Sequence, residues 1–163
     1  MIPIEPADFE PLAEFDLRWR WTDATWNLLS DDELSLIRPL NGRKAAELSA
    51  TLSTLIDPVP LRICVNTGTA LREAAEERCV KTFDTSGDAA TTAAWLRATL
   101  PSQEGDVLAS WSPETAVVVE LALFIRYWDD FCYPLSHDVV VVPPSGEWIL
   151  YYFHEETFYF WTR

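Results

Sequence analysis

The sequence predicts an α+β fold, with N-terminal helices packed on a C-terminal antiparallel β-meander. Three observations carry that prediction. Between residues 30 and 100, apolar side chains recur at helical spacing, in segments bounded by capping residues and prolines. From residue 105 the period shortens to two, in runs rich in valine and aromatics. Helical text comes first and strand text last, which is the order of α+β rather than of alternating α/β folds. A length of 163 residues with 48% hydrophobic and 13% aromatic content suits a single domain over 1–163 with a substantial core.

Residues 1–29 hold three prolines and the cluster "FDLRWRWTDATW", in which Trp19 and Trp21 alternate with Arg18 and Arg20. This segment reads as a short strand or an amphipathic arm. Residues 30–100 read as mainly helical. "SDDE" is a capping box, with Ser30 as N-cap and Glu33 three residues on, and Asp31 and Asp32 favour the positive end of the helix dipole. Leu34 and Ile37 supply the apolar stripe, and Pro39 ends the helix. A second helix is expected from Gly42 to Ile56, with Ala45, Leu48, Leu52, Leu55 and Ile56 on one face. "LRICV" (61–65) reads as a strand and "TALREAAEERCVKTF" (69–83) as a helix. "SGDAATTAAWLRATLP" reads as a further helix, capped near Ser86 or Asp88, with Ala93, Leu96 and Leu100 inward.

Residues 105–161 read as the sheet. "GDVLASWS" and "TAVVVELALFIRYW" are expected to be strands joined at Pro113 and Glu114. Alternation places Val117, Val119, Leu121, Leu123, Ile125 and Tyr127 on one face, with a Glu120/Arg126 pair on the other. That pattern suits a sheet packed on helices by one face. "DVVVV" and "EWILYYF" are two more strands joined by the "PPSG" turn, and the stretch to Trp161 continues or repeats the last one.

The charge is the strongest global signal. Twelve Lys and Arg face 26 Asp and Glu, for a net charge of −14. Such a surface repels phosphate backbones and anionic lipid and attracts a basic partner, besides conferring solubility. Nucleic acid and membrane are therefore not expected as partners. Three cysteines, Cys64, Cys79 and Cys132, form no CxxC and no zinc-like spacing with histidine. That usage fits a reducing cytosol. The N-terminus lacks a basic region followed by an apolar one, and the longest apolar stretch is far short of a membrane span, so a cytoplasmic location is expected. No GxGxxG, GxxxxGK[ST] or GxSxG occurs. "NTGTA" (66–70) reads as a strand-to-helix turn.

Candidate chemistry concentrates between Trp128 and Glu156. Alternation along a strand would put His154 and Glu156 on one face, with Asp130, His137 and Asp138 close by if the connection folds back. A histidine with carboxylates is adequate for a divalent metal or for acid/base work, so Asp130, His154 and Glu156 are candidate metal ligands, and all five are candidate catalytic residues. No fixed-spacing motif ties them together. The competing reading is structural: Asp129 and Asp130 cap a turn, and His154 and Glu156 form a polar pair among aromatics. Cys132 and His137 also lie at a separation open to a Cys–His nucleophile.

The stretch "YWDDFCYPLSHDVVVVPPSGEWILYYFHEETFYF" resembles a family of small uncharacterised bacterial proteins. Their C-terminal halves share an aromatic–Asp–Asp–Phe–Cys–Tyr–Pro stretch, an Asp-led strand and a Trp-containing strand ending in His–Glu–Glu. "LSDDELSLIRPLNGRKAAEL" fits the same family more loosely. The resemblance implies no activity. In type, the chain is also similar to immunity proteins of bacterial toxin systems, which are small, acidic, cytosolic α+β proteins rich in Trp and Tyr.

Two functional classes follow. One is a non-enzymatic binding module, an immunity-type inhibitor of a basic toxin or other basic protein, for which exposed Trp19, Trp21, Trp26 and Trp161 are the candidate anchors. It needs a clustered acidic face beside exposed aromatics. Trp95, Trp111, Trp128 and Trp148 are assigned to the core. The other is a metal-dependent enzyme or metal-binding protein using the Asp/His/Glu residues above; the first reading requires no cofactor.

Overall fold

Seven strands form one wholly antiparallel sheet in the computed structural model, which describes residues 2–56, 81–133 and 137–163. The strands are β1 (Ile37–Pro39), β2 (Lys81–Asp84), β3 (Asp106–Ser112), β4 (Thr115–Glu120), β5 (Val139–Val142), β6 (Trp148–Phe153) and β7 (Thr157–Thr162). Their order across the sheet is β1-β4-β3-β5-β6-β7-β2. The helices are α1 (Trp19–Thr22), α2 (Asp31–Leu34), α3 (Gly42–Ile56), α4 (Ala89–Thr99), α5 (Leu121–Arg126) and α6 (Trp128–Phe131). The fold is α+β, as the element order predicted.

Local signals place several boundaries. The Ser30 hydroxyl accepts from the Glu33 amide at 3.3 Å while the Glu33 carboxylate accepts from the Ser30 amide at 2.9 Å, closing the capping box of α2. Asn41 starts α3 by accepting from the Lys44 amide at 3.0 Å. Ala45, Leu48 and Leu52 of α3 are buried, as its spacing predicted. Asp88, rather than Ser86, caps α4 by accepting from Thr91, and Ala93, Leu96 and Leu100 point inward.

Four expectations are corrected. The helix begun at Ser30 stops at Leu34, and Ile37–Pro39 become edge strand β1 against Val117–Val119. Pro39 suits an edge, where a missing amide breaks no central ladder. The chain expected as strand through Trp128 turns helical after Glu120. Leu121, Leu123, Phe124 and Ile125 are buried while Ala122 and Arg126, four apart, are exposed, so the run carries a helical period beneath its apparent alternation. Arg126 accordingly pairs with Glu33 at 3.1 Å, not with Glu120. Residues 2–29 form neither strand nor arm: two 3-10 turns, Pro6–Asp8 and Leu12–Glu14, lead into α1. The buried Asp8 carboxylate holds this segment to α3 through Arg43 at 2.6 Å and Lys44 at 3.4 Å. Strand 61–65 and the turn at 66–70 lie outside the described residues, as does most of the helix read at 69–83; its last three residues belong to β2.

The fourth correction concerns layering, since the sheet buries both faces. Val107, Ala109, Val117, Val119, Leu150, Tyr152 and Phe158 share one apolar cluster with residues of α4, α5 and α6. Leu108, Val118, Val142, Ile149 and Tyr151 share the other with Ala45, Leu48 and Leu52 of α3. Alternating residues of each strand thus enter two different cores, which is why the strands read as continuous apolar runs. The final stretch repeats the strand as a hairpin: Tyr152 pairs with Phe158, and His154–Glu156 form the turn.

Candidate functional site

The site is built by α1, the loop after it, and α6. Trp21 is fully buried, stacked on Phe15 at 6.1 Å and packed on Phe131 at 5.0 Å. Anchoring α1 by Trp21 leaves Trp19 at the surface, 37% exposed. Arg20 is only 2% exposed. Its guanidinium donates from Nη1 to the carbonyls of Phe131 at 2.9 Å and Asp130 at 3.4 Å, and it lies 5.5–5.9 Å from the rings of Trp19, Trp111 and Tyr133. Nη2 lies 3.2 Å from His137 Nδ1. A guanidinium only donates, so that nitrogen accepts and the imidazole is neutral with its proton on Nε2. Burial, reinforced by the Arg20 charge, lowers the His137 pKa below its ordinary range.

The loop after α1 folds back on itself. Asp23 accepts from the Thr25 amide at 2.9 Å, Trp26 donates to the Asp23 carbonyl at 3.0 Å, and Leu29 donates to the Trp21 carbonyl at 3.2 Å. This brings Trp26 edge-on to Tyr133, with centroids 4.8 Å apart and planes at 88°, and within 5.5 Å of Trp19. Thr25, Trp26, Asn27, Asp129, Asp130 and Tyr133 together line an open cleft of about 420 Å³. Asn27 Nδ2 donates to Asp130 Oδ2 at 3.1 Å. Asp130 is 4% exposed, and that burial pushes its carboxyl up to about 6, with Asp129 adding to the rise and the Asn27 hydrogen bond opposing it.

A second polar group closes the β6–β7 hairpin. Asp138 Oδ2 accepts from the Tyr151 hydroxyl at 2.7 Å, and Asp138 Oδ1 accepts from the His154 amide at 3.1 Å and lies 2.8 Å from His154 Nδ1. His154 and Glu156 therefore do not share a strand face. Both sit in the turn, where Glu156 has φ +61° and its carbonyl accepts from Thr85 at 2.7 Å.

The five acid/base candidates thus fall into separate settings: Asp130 with Asn27, His137 with Arg20, Asp138 with His154, and Glu156 in the turn. Among the described residues, no group of three or more His, Cys, Asp or Glu is placed to hold a metal ion. The Cys–His reading is corrected too. Cys132 is fully buried and burial drives its thiol pKa well up, while His137 is engaged with Arg20.

Of the four candidate anchors, Trp19 is exposed and Trp26 half-buried at the cleft, whereas Trp21 and Trp161 are core residues at 0% and 3% exposure. Trp111, Trp128 and Trp148 are buried as expected, and Trp95 is partly buried between Phe83 and Phe158. Sequence reading missed Arg20, Asn27 and Tyr133 as parts of one site. The legible signal was "WRW", in which a cation flanked by aromatics can be buried among rings.

Comparison with known proteins found no matching family model, no matching curated protein and no matching solved structure.

Proposed function

We propose that this protein is a non-enzymatic binding module for a basic protein, anchored at the Trp26/Tyr133/Asp130 cleft. The observation that carries the reading is the convergence of two aromatic rings and two carboxylates in one open cleft, with exposed Trp19 beside it. Trp and Tyr are enriched among the residues that carry most of the energy of protein interfaces. The net charge of −14 adds long-range attraction for a basic partner and speeds encounter with it. An immunity-type inhibitor of a basic toxin is the form of this reading favoured by the similarity in type to such proteins.

The test is affinity capture from lysate of the native organism, run in parallel with the wild type and Trp26→Ala, and washed at rising salt. A basic protein retained by the wild type, released by salt and lost with Trp26→Ala supports the module. A partner retained equally by both proteins would place the interface elsewhere.

A further inference from the structure

We infer that the cleft takes a single alkylammonium group, the chemistry of a lysine side chain presented by the partner, against the Trp26/Tyr133 aromatic pair and the carboxylate of Asp130. This deepens the binding-module reading and rests on it.

Three observations select a cation. The two rings meet edge to face, 4.8 Å apart at 88°, and form one aromatic wall of the cleft, whose π surface attracts positive charge. Asp129 and Asp130 both line the cleft. Arg20 stands close enough for its charge to favour the ionised Asp130, yet its Nη groups are turned to the Phe131 and Asp130 carbonyls and to His137 rather than to the Asp130 carboxylate. Two carboxylates against one diverted guanidinium leave the cleft net negative.

The hydrogen-bond inventory selects ammonium over guanidinium. An arginine binds a carboxylate best as a fork, using both oxygens. Asp130 Oδ2 is already engaged by Asn27 Nδ2 at 3.1 Å. The Asn27 backbone also favours the ionised carboxylate, so Asn27 approaches it twice and crowds out a two-pronged fork, whereas a compact ammonium needs only one point of contact and can turn its other N–H groups to Asp129 or water.

Asp130 must be ionised to act as counter-ion. Its carboxyl sits at about 6 because of burial. The groups that face it are Asp129 on its own helix, Arg20 from α1, Asn27 from the loop, and Tyr127, Cys132 and Tyr133 flanking α6. Asp130, at about 6, titrates between pH 5 and 7. The ionised fraction of such a carboxyl falls about tenfold between pH 7 and pH 5, and affinity for the cation should follow it.

The experiment is an NMR titration of the full chain with n-butylammonium, followed at the Trp26 indole and Asn27 amide signals. N-butylacetamide serves as a neutral control and n-butylguanidinium as the arginine control. Saturable shifts at pH 7 with butylammonium, weakened about tenfold at pH 5 and lost in folded Asp130→Asn and Trp26→Ala, support the assignment. Equal binding of N-butylacetamide, or tighter binding of butylguanidinium, overturns it. Absence of butylammonium shifts in the wild type also overturns it. If Trp26-dependent partner capture persists in that case, the module stands without a lysine subsite; if capture is absent as well, the module itself fails.

Discussion

Arg20 Nη1 donates to the carbonyl oxygen of Phe131 at 2.9 Å, joining residues 111 positions apart in sequence. This contact ties α1 to α6 and so sets the distance between the two walls of the cleft. The same carbonyl also accepts from Trp111 Nε1 at 2.9 Å, so it keeps one donor when Arg20 is replaced. The Asp130 carbonyl, held at 3.4 Å, has no such second donor among the described residues.

Arg20→Met should therefore destabilise the fold by roughly 1–3 kcal/mol, the range for lost hydrogen bonds from a charged donor, partly offset by relief of a buried charge. It should also raise the His137 titration midpoint, because the Arg20 charge is one of the causes that lower it. Urea unfolding checks the first effect and the imidazole proton shifts check the second. A His137 midpoint unmoved in a folded variant would show that Arg20 does not set its protonation.

Asp130→Asn should stabilise the protein at neutral pH. The folded carboxyl titrates near 6, above the ordinary value of 3.8 expected for the unfolded chain. Below 3.8 the group is protonated in both states and costs nothing. As pH rises through the window to 6, the unfolded state ionises more readily and stability falls; above 6 the full penalty is present. Asparagine escapes it, gaining on the order of 1–3 kcal/mol at pH 7 and little at pH 4. Urea midpoints at a series of pH values measure the difference. A buried carboxylate whose removal strengthens the fold is not held there for stability.

Two tryptophans five positions apart should behave in opposite ways. Trp21 is fully buried against Phe15, Trp111 and Phe131, so Trp21→Ala should cost about 3–5 kcal/mol and threaten folding outright. Trp26 lies at the cleft, so Trp26→Ala should cost about 1 kcal/mol or less while abolishing partner capture. Thermal melts of the two variants, compared with capture, separate core from anchor. Comparable destabilisation would show that Trp26 serves packing.

The contrast between these tryptophans also shows what the sequence could convey. Helix α3 was readable because fifteen residues repeat one apolar face after an Asn cap. β6 and β7 were readable as strands because their apolar and aromatic residues run on across the hairpin, Tyr152 meeting Phe158, with each face feeding its own core. "LALFIR" was misread because six residues fit a period of two and of 3.6 almost equally. β1 was missed because its three residues become a strand only through β4, some 80 positions away. The cleft was illegible for the same reason: Asn27 and Asp130 are 103 positions apart, and nothing local in either segment specifies the other. Trp19 and Trp26 could be proposed as exposed, but separating them from Trp21 required knowing which side of α1 faces Phe131.

Asp138 is expected to be a structural residue of the β6–β7 hairpin. Its carboxylate gathers the Tyr151 hydroxyl, the His154 amide and the His154 ring. Asp138→Ala strips all three, leaving the buried Tyr151 hydroxyl without this acceptor, and should cost about 2–3 kcal/mol. Partner capture by the folded variant should be unchanged, because Asp138 takes no part in lining the cleft. Loss of capture in a variant that still melts cooperatively would show that the hairpin is part of the interface.

Glu156 offers the sharpest separation of a backbone role from a chemical one. Its φ of +61° lies in the left-handed region, where a side chain crowds the backbone and glycine does not. The residue was a candidate metal ligand by its spacing from His154, yet the turn fixes it through the backbone, with its carbonyl accepting from Thr85 at 2.7 Å. Glu156→Gly relieves the local strain and adds freedom to the unfolded chain, two effects of opposite sign. With φ positive, relief should prevail, so the variant should be as stable as the wild type or more stable by up to about 1 kcal/mol. It should also retain partner capture. Differential scanning calorimetry reads the balance, and a clear drop in melting temperature would mean that the Glu156 carboxylate holds a stabilising contact in the turn.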